Sequence, residues 1–456
     1  MRVSVERETS VRIFIEDANG LRSAGTGKGH VYLDQTDKAF PTIQAGRPVR
    51  YFVRQRDSET ARQRDSMNKP PYKVPDMTEI EALPWNGYNV ISTFSGAGGS
   101  CLGYRMAGFK VRWASEFIPA AQEVYKLNHP DSILDTRDIR QVQAEDILNA
   151  IGMQPGEVDI MDGSPPCASF STAGKREAGW GKVKAYSDTK QRTDDLFFEY
   201  ARLVTGVQPK VFVAENVSGL VKGTAKGYFL EILAALKDCG YMVTAKLLDA
   251  QWLGVPQMRQ RVIFVGVRND LVAQYGVKPS HPKPMSYQYS VRDAIPWITQ
   301  VKFGGSPLNY RSSDLSSPTI MQTDAKRGES AYLSGGGWVE AETDISRYAI
   351  GDEWEKTPVG KSNERFFSLK KSAIDGVSFS VTAEGGNTSL ASVTHPTEKR
   401  KFSIAELKRI CAFPDDFQLV GSYAQQWERL GRAVPPVMMA AIAKTIGEDI
   451  LDKCRT

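Results

Sequence analysis

The chain has 456 residues and formal net charge +5, with 41% hydrophobic and 24% charged residues, a profile that excludes a disordered or fibrous protein. That length accommodates one large unit and smaller ones, and the slight positive balance permits a nucleic-acid partner without requiring it. No apolar run approaches the roughly 20 residues needed to cross a bilayer, and the charged opening MRVSVERETS is unlike a signal peptide. A cytoplasmic protein with no membrane association, acting as a monomer, is expected. Five cysteines (Cys101, Cys167, Cys239, Cys411 and Cys454) lie far apart without CxxC spacing, which argues against a disulfide framework and against a cysteine zinc site.

In chain order, VRIFIED (11–17), HVYLD (30–34) and RYFVRQ (50–55) alternate apolar and polar residues, predicting a strand-rich N-terminal extension over 1–55. Residues 56–88 are charged and proline-bearing and read as a linker that buries little. From 89 to 268 the style changes: YNVISTF, KVRWASE, EVDIMDG, KVFVAEN, YMVTAKLLD and RVIFVGV are short apolar strands separated by helix-like stretches such as DDLFFEYARLVTGV and GYFLEILAALKDCG. This alternation predicts an α/β fold with a Rossmann-like, mostly parallel sheet covered on both faces. Residues 269–395 lose the rhythm and gain Gly, Ser, Pro and Trp, predicting a smaller irregular domain in which basic and acidic residues balance. Helical periodicity returns within 396–456, at SIAELKRICAF and PVMMAAIAKTIGEDILDK, and these helices are expected to return to the first sheet.

Two ends of one site are expected at the carboxyl edge of that sheet. After the first strand comes Phe94-Ser95-Gly96-Ala97-Gly98-Gly99, a glycine turn leading into a helix, where a ligand approaches the backbone closely. Glu116 follows Gly96 by 20 residues at the end of the next strand, where a carboxylate takes ribose hydroxyls. The glycines spell neither GxGxxG nor a P-loop, so a nucleoside ligand without pyrophosphate is the better match. At the other end, a strand runs into Gly163-Ser164-Pro165-Pro166-Cys167, whose prolines stiffen the turn that presents the thiol. Glu215 ends the following strand and should open onto the same edge, and Arg259 and Arg261 alternate so as to share one face.

The order FSGAGG, PPCASFS, ENV, QMRQR and GRAVPPVM resembles the DNA cytosine-5 methyltransferases, over roughly residues 89–268 and 395–450. The resemblance implies S-adenosyl-L-methionine as cofactor and no metal. It assigns Phe94, Gly96, Gly98 and Gly99 to the cofactor loop, Glu116 to the ribose, Phe117 to the adenine face, and Asp138 with Ile139 to the adenine edge. Arg432 and Val434 fall in a further cofactor-contacting motif, with Arg432 standing where the family usually carries Asn. Cys167 is the implied nucleophile, Glu215 its acid partner, and Arg259 and Arg261 the site cations. Residues 89–268 become the catalytic domain, and residues 269–395 the target-recognition domain.

The implied substrate is double-stranded DNA with one cytosine flipped out, since chemistry on a base cannot proceed inside the stack. Ser169, the basic loop residues Lys182 and Lys184, and Arg311, Gln322 and Arg327 are the candidate DNA contacts. For Glu215 to supply a proton near neutral pH, burial would have to raise its pKa. A cognate restriction endonuclease acting separately fits this reading. An RNA cytosine-5 methyltransferase on the same scaffold, or a catalytically silent DNA-binding regulator, are the alternatives.

Overall fold

The computed structural model describes residues 69–166, 195–221, 226–298 and 342–455, together with the backbone of short strands elsewhere. The apolar runs form β1 (Asn89–Thr93), β2 (Lys110–Ser115), β3 (Ile133–Asp135), β4 (Ile160–Gly163), β5 (Val211–Val217), β6 (Tyr241–Asp249) and β7 (Gln260–Arg268). They lie in the order β6-β7-β5-β4-β1-β2-β3, and Thr42–Ile43 adds an antiparallel pairing outside β6. The fold is the α/β, mostly parallel sheet anticipated.

One strand departs from the parallel expectation: β7 runs antiparallel to both β5 and β6. The physical reason is the connection. Only a short turn through Ala250–Trp252 joins β6 to β7, and a parallel pair needs a crossover of a dozen or more residues. The three-residue β3 at the edge has no apolar run to announce it, and Ile133 is exposed.

The central strands read as continuous apolar runs because both faces are covered. Val211, Phe212, Val213 and Ala214 of β5 are all fully buried. Helices Ala144–Ile151, Leu196–Val207 and Lys226–Asp238 cover one face, each through an apolar stripe. Helices Gly99–Met106 and Pro436–Ile446 cover the other, where Met438, Met439, Ile442 and Ile446 are buried beside Tyr104. Burial of side chains of this size contributes about 1.5–3 kcal/mol each, which anchors the C-terminal helix on the sheet. The two helices touch closely at Gly103, where a Cβ would lie 2.5 Å from Met439 Cβ.

A third core joins Val291, Val381, Phe402, Leu407, Phe413 and Trp427. It draws together the described parts of the irregular segment and the helices Ile404–Ile410 and Tyr423–Arg432. Both helices begin with serine capping boxes, Ser403 with Glu406 and Ser422 with Gln425. Residues 69–88, expected to bury little, in fact take part in this core. Ile80 is 3% exposed, the Tyr72 hydroxyl donates to Arg409 O at 2.7 Å, and Lys69 pairs with Asp293 at 2.7 Å. Charge-rich composition hid these few anchors. The irregular segment also holds a helix that its composition does not announce, Ala349–Lys356, and a two-residue parallel pairing of Lys370–Lys371 with Val393–Thr394.

In the N-terminal extension, Arg2–Val5, Val11–Asp17 and Gly20–Thr26 form an antiparallel meander. The strands expected at 30–34 and 50–55 lie outside the described residues. Among the described residues no helix is long and apolar enough to cross a membrane.

Candidate active site

Parallel neighbours present their carboxyl ends together, and at that edge the ends of β1, β2, β4 and β5 open into a cavity of about 750 Å³. Because β7 runs the opposite way, it begins at this edge, so Arg259 and Arg261 enter the site from the start of a strand. The facing wall is made by Lys370, Ser380–Glu384 and residues 429–434.

At the nucleotide end, β1 breaks into a turn in which Phe94 adopts φ 55°, a left-handed conformation that costs a non-glycine residue on the order of 1–3 kcal/mol. Phe94, Gly96 and Gly99 line the cavity. Glu116 is 8% exposed, and its two carboxylate oxygens accept from Gly96 N and Ile118 N, both at 2.7 Å. Burial pushes this carboxyl up, opposed by those same N–H groups. The acid is therefore fixed in direction with lone pairs left for a ligand's hydroxyls. Phe117, Asp138 and Ile139 line the same end. Asp138 caps the turn Ile139–Gln141 through Arg140 N and pairs with the Arg140 guanidinium at 3.0 Å.

Gly98 differs from its neighbours. It does not line the cavity; its φ of 87° caps the following helix, and a Cβ there would lie 2.2 Å from His129 Nε2. Gly99 has a third task, since a Cβ would lie 2.4 Å from Val434 O, so its bareness lets the C-terminal segment close the cavity. Val434 and Arg432 both line it, and Arg432 is ion-paired with Glu428 at 2.7 Å. Two further cations that the motifs did not single out, Arg137 and Arg429, also line this end.

At the chemical end, Ser164, Pro165 and Pro166 line the cavity on the way to Cys167. Cys167 itself lies outside the described residues. The turn leading to it is pinned by a residue that sequence reasoning quoted but gave no role: the buried Asn216 donates from Nδ2 to Pro165 O at 3.2 Å. Next to it, Glu215 is 8% exposed, and its Oε1 stands 2.5 Å from Arg261 Nε. Arg261 Nε makes no aligned hydrogen bond, so the pair is a charge contact. Behind the turn, Asp162 is fully enclosed, and burial pushes its carboxyl up to about 7 while Ser92 Oγ and Tyr104 OH donate to it.

Arg259 lines the cavity and is at the same time held by the facing wall. It is 2% exposed, and its Nη groups donate to Val381 O at 3.0 Å, Gly431 O at 2.9 Å and Arg432 O at 3.3 Å. Burial and the neighbouring Arg261 lower its pKa to about 9, which still leaves it charged at neutral pH. Arg259 thus ties the facing wall to the start of β7. Arg259→Ala is expected to strand three acceptors and to destabilise the fold by on the order of 3 kcal/mol. A denaturant titration checks this, and an unchanged midpoint would refute the tie.

The remaining candidate contacts, Ser169, Lys182, Arg311, Gln322 and Arg327, lie outside the described residues. For Lys184 only the backbone is described, in a hairpin of Lys184–Tyr186 with Thr189–Gln191.

With this geometry in place, the comparisons are specific. The family model of the C-5 cytosine-specific DNA methylases matches residues 88–448. The chain is 29% identical over 388 residues to the type II methyltransferase M.Sau96I of Staphylococcus aureus, covering 84% of this chain and 80% of that one. It is 30% identical over 357 residues to the type II methyltransferase M1.HphI of Haemophilus parahaemolyticus, covering 78% and 86%. In fold it matches DNMT2 of Spodoptera frugiperda, solved as a mutant, with TM-score 0.52 and 17% identity, covering 78% of this chain and 98% of that one. The motif order, the sheet and these matches agree, and the chain belongs to the C-5 cytosine-specific DNA methylase family, as a DNA cytosine-5 methyltransferase.

Proposed function

We propose that the cavity binds S-adenosylmethionine, without a metal, and that the protein methylates C5 of a cytosine flipped out of duplex DNA through a covalent bond from Cys167 Sγ to ring C6. The observation that carries this reading is convergence: the fixed acid Glu116, the Glu215–Arg261 pair and the proline turn ahead of Cys167 all line one cavity. The residues fit the cofactor, because a buried carboxylate held by two N–H groups suits vicinal hydroxyls and Phe117 offers a ring beside them. The bound cofactor supplies an electrophilic methyl group. Cys167 adds to C6, and a proton from Glu215 to ring N3 lets electron density collect at C5, the carbon to be methylated. Once C5 is methylated, loss of its C5 proton to a base expels Cys167, the N3 proton returns to Glu215, and the aromatic ring is restored. Asn216 positions the turn that carries the thiol, and Arg261 orients Glu215. The burial of Cys101 and Cys411, whose thiols are pushed up to about 11, supports Cys167 as the reactive cysteine.

The same reading makes 269–395 the target-recognition domain and gives the protein a place in the bacterial cytoplasm beside a separately acting restriction endonuclease. The similarity to bacterial type II methyltransferases supports the bacterial setting and the restriction-modification context. Bisulfite sequencing of DNA from cells expressing the protein tests it. A protected cytosine at one recurring sequence is expected, and uniformly converted DNA would sink the reading.

A further inference from the structure

Among the described residues, the large apolar side chain most open to solvent is Phe367, at 77% exposure. Its surroundings are rigid. Asn363, 6% exposed, donates from Nδ2 to Glu353 O at 3.1 Å and to Thr357 Oγ1 at 2.9 Å. Its Oδ1 accepts from Arg365 N at 2.9 Å and Phe366 N at 2.7 Å. On the other side of the tip, Leu369 is fully buried, and Phe366 packs on the same small core with Trp354. A buried asparagine and two apolar anchors thus hold a turn whose outermost ring contributes little to the core.

The charge around the ring is mostly positive, although Arg365 also stands 3.5 Å from Glu353. Lys361, Arg365, Lys370 and Lys371 stand against the single acid Glu364 over 361–371. Lys370 Nζ lies 5.9 Å from the Phe367 ring centroid and 5.4 Å from that of Phe379. Lys370 also lines the active-site cavity, so the C-terminal end of the turn adjoins it. An isolated ring among cations is a poor protein hot spot, which needs a wider apolar patch that excludes water. It suits a nucleic acid opened by a flipped base, where an unstacked base can lie on an aromatic face while phosphates meet cations.

We propose that the turn 363–370 is a duplex contact beside the reacting cytosine, in which Phe367 stacks on a base and Arg365 and Lys370 meet the backbone. This rests on the reading that the substrate is duplex DNA. The test uses the full chain and a fluorescent duplex bearing the site mapped by bisulfite sequencing, with anisotropy for DNA and calorimetry for S-adenosylmethionine. Phe367→Ala should weaken duplex binding by about 5- to 100-fold, Phe367→Trp should restore it, and cofactor affinity should stay unchanged in both. Arg365→Ala should reduce the slope of affinity against salt. Duplex affinity of Phe367→Ala within about twofold of wild type would overturn the proposal, as would an equal loss of cofactor affinity, which would mean that the turn is structural. A wild-type protein that methylates no duplex fails the underlying reading instead, in an arm that does not involve Phe367.

Discussion

Cys167→Ala is expected to lower methyl transfer by more than about a thousandfold while leaving S-adenosylmethionine affinity nearly intact. The two effects should separate because, in the proposed mechanism, the thiol attacks the base, whereas the cofactor end of the cavity is built by the turn after β1, the end of β2 and residues 432–434. Wild-type protein should also be trapped on duplex DNA carrying 5-fluorocytosine. The fluorine at C5 cannot leave as a proton, so elimination stops and the Sγ–C6 bond persists. Gel analysis under denaturing conditions reads this directly: an active enzyme that leaves no shifted band would remove the nucleophile assignment, and so would a Cys167→Ala variant with substantial activity.

Glu215→Gln should lower the rate at saturating DNA by on the order of 10²–10⁴-fold, because an amide keeps the shape and the hydrogen bond but has no proton to give in the required sense. Duplex affinity should change little. The substitution also leaves Arg261, whose side chain is 14% exposed, without its counter-charge, and breaking a buried pair costs about 3–5 kcal/mol. Single-turnover rates are therefore to be measured on protein shown to be folded at the assay temperature. A folded variant within about tenfold of wild type would leave Glu215 an ion-pair partner and nothing more.

The sheet was legible because its strands are buried on both faces and so appear as unbroken apolar runs between helical periods. Residue types at strand ends then placed Phe94, Gly96, Glu116 and Glu215 on one cavity, since parallel strands share an edge. Contacts between distant segments were not legible. The alternate spacing of Arg259 and Arg261 placed both on one face, but the partners of Arg259 are carbonyls at 381, 431 and 432, and no local pattern signals them. The same holds for Gly98, whose constraint comes from His129, and for Ile80, an anchor within a charged stretch. The direction of β7 was readable in principle, from a connection too short to cross the sheet.

The closure of the cavity by residues 429–434 has a consequence for the newly made chain. Near the same face of the sheet, the Tyr88 hydroxyl meets Asp452 across 364 residues of sequence. At roughly 5–20 residues per second of synthesis, the strands that carry Glu116 and Glu215 emerge on the order of ten seconds or more before the wall that Gly99 receives. A ribosome-bound chain with its sheet formed would therefore have no finished cofactor pocket. Methylation would begin only after the C-terminal helix has docked, which makes translation itself a delay between the gene's expression and the methylation of the DNA.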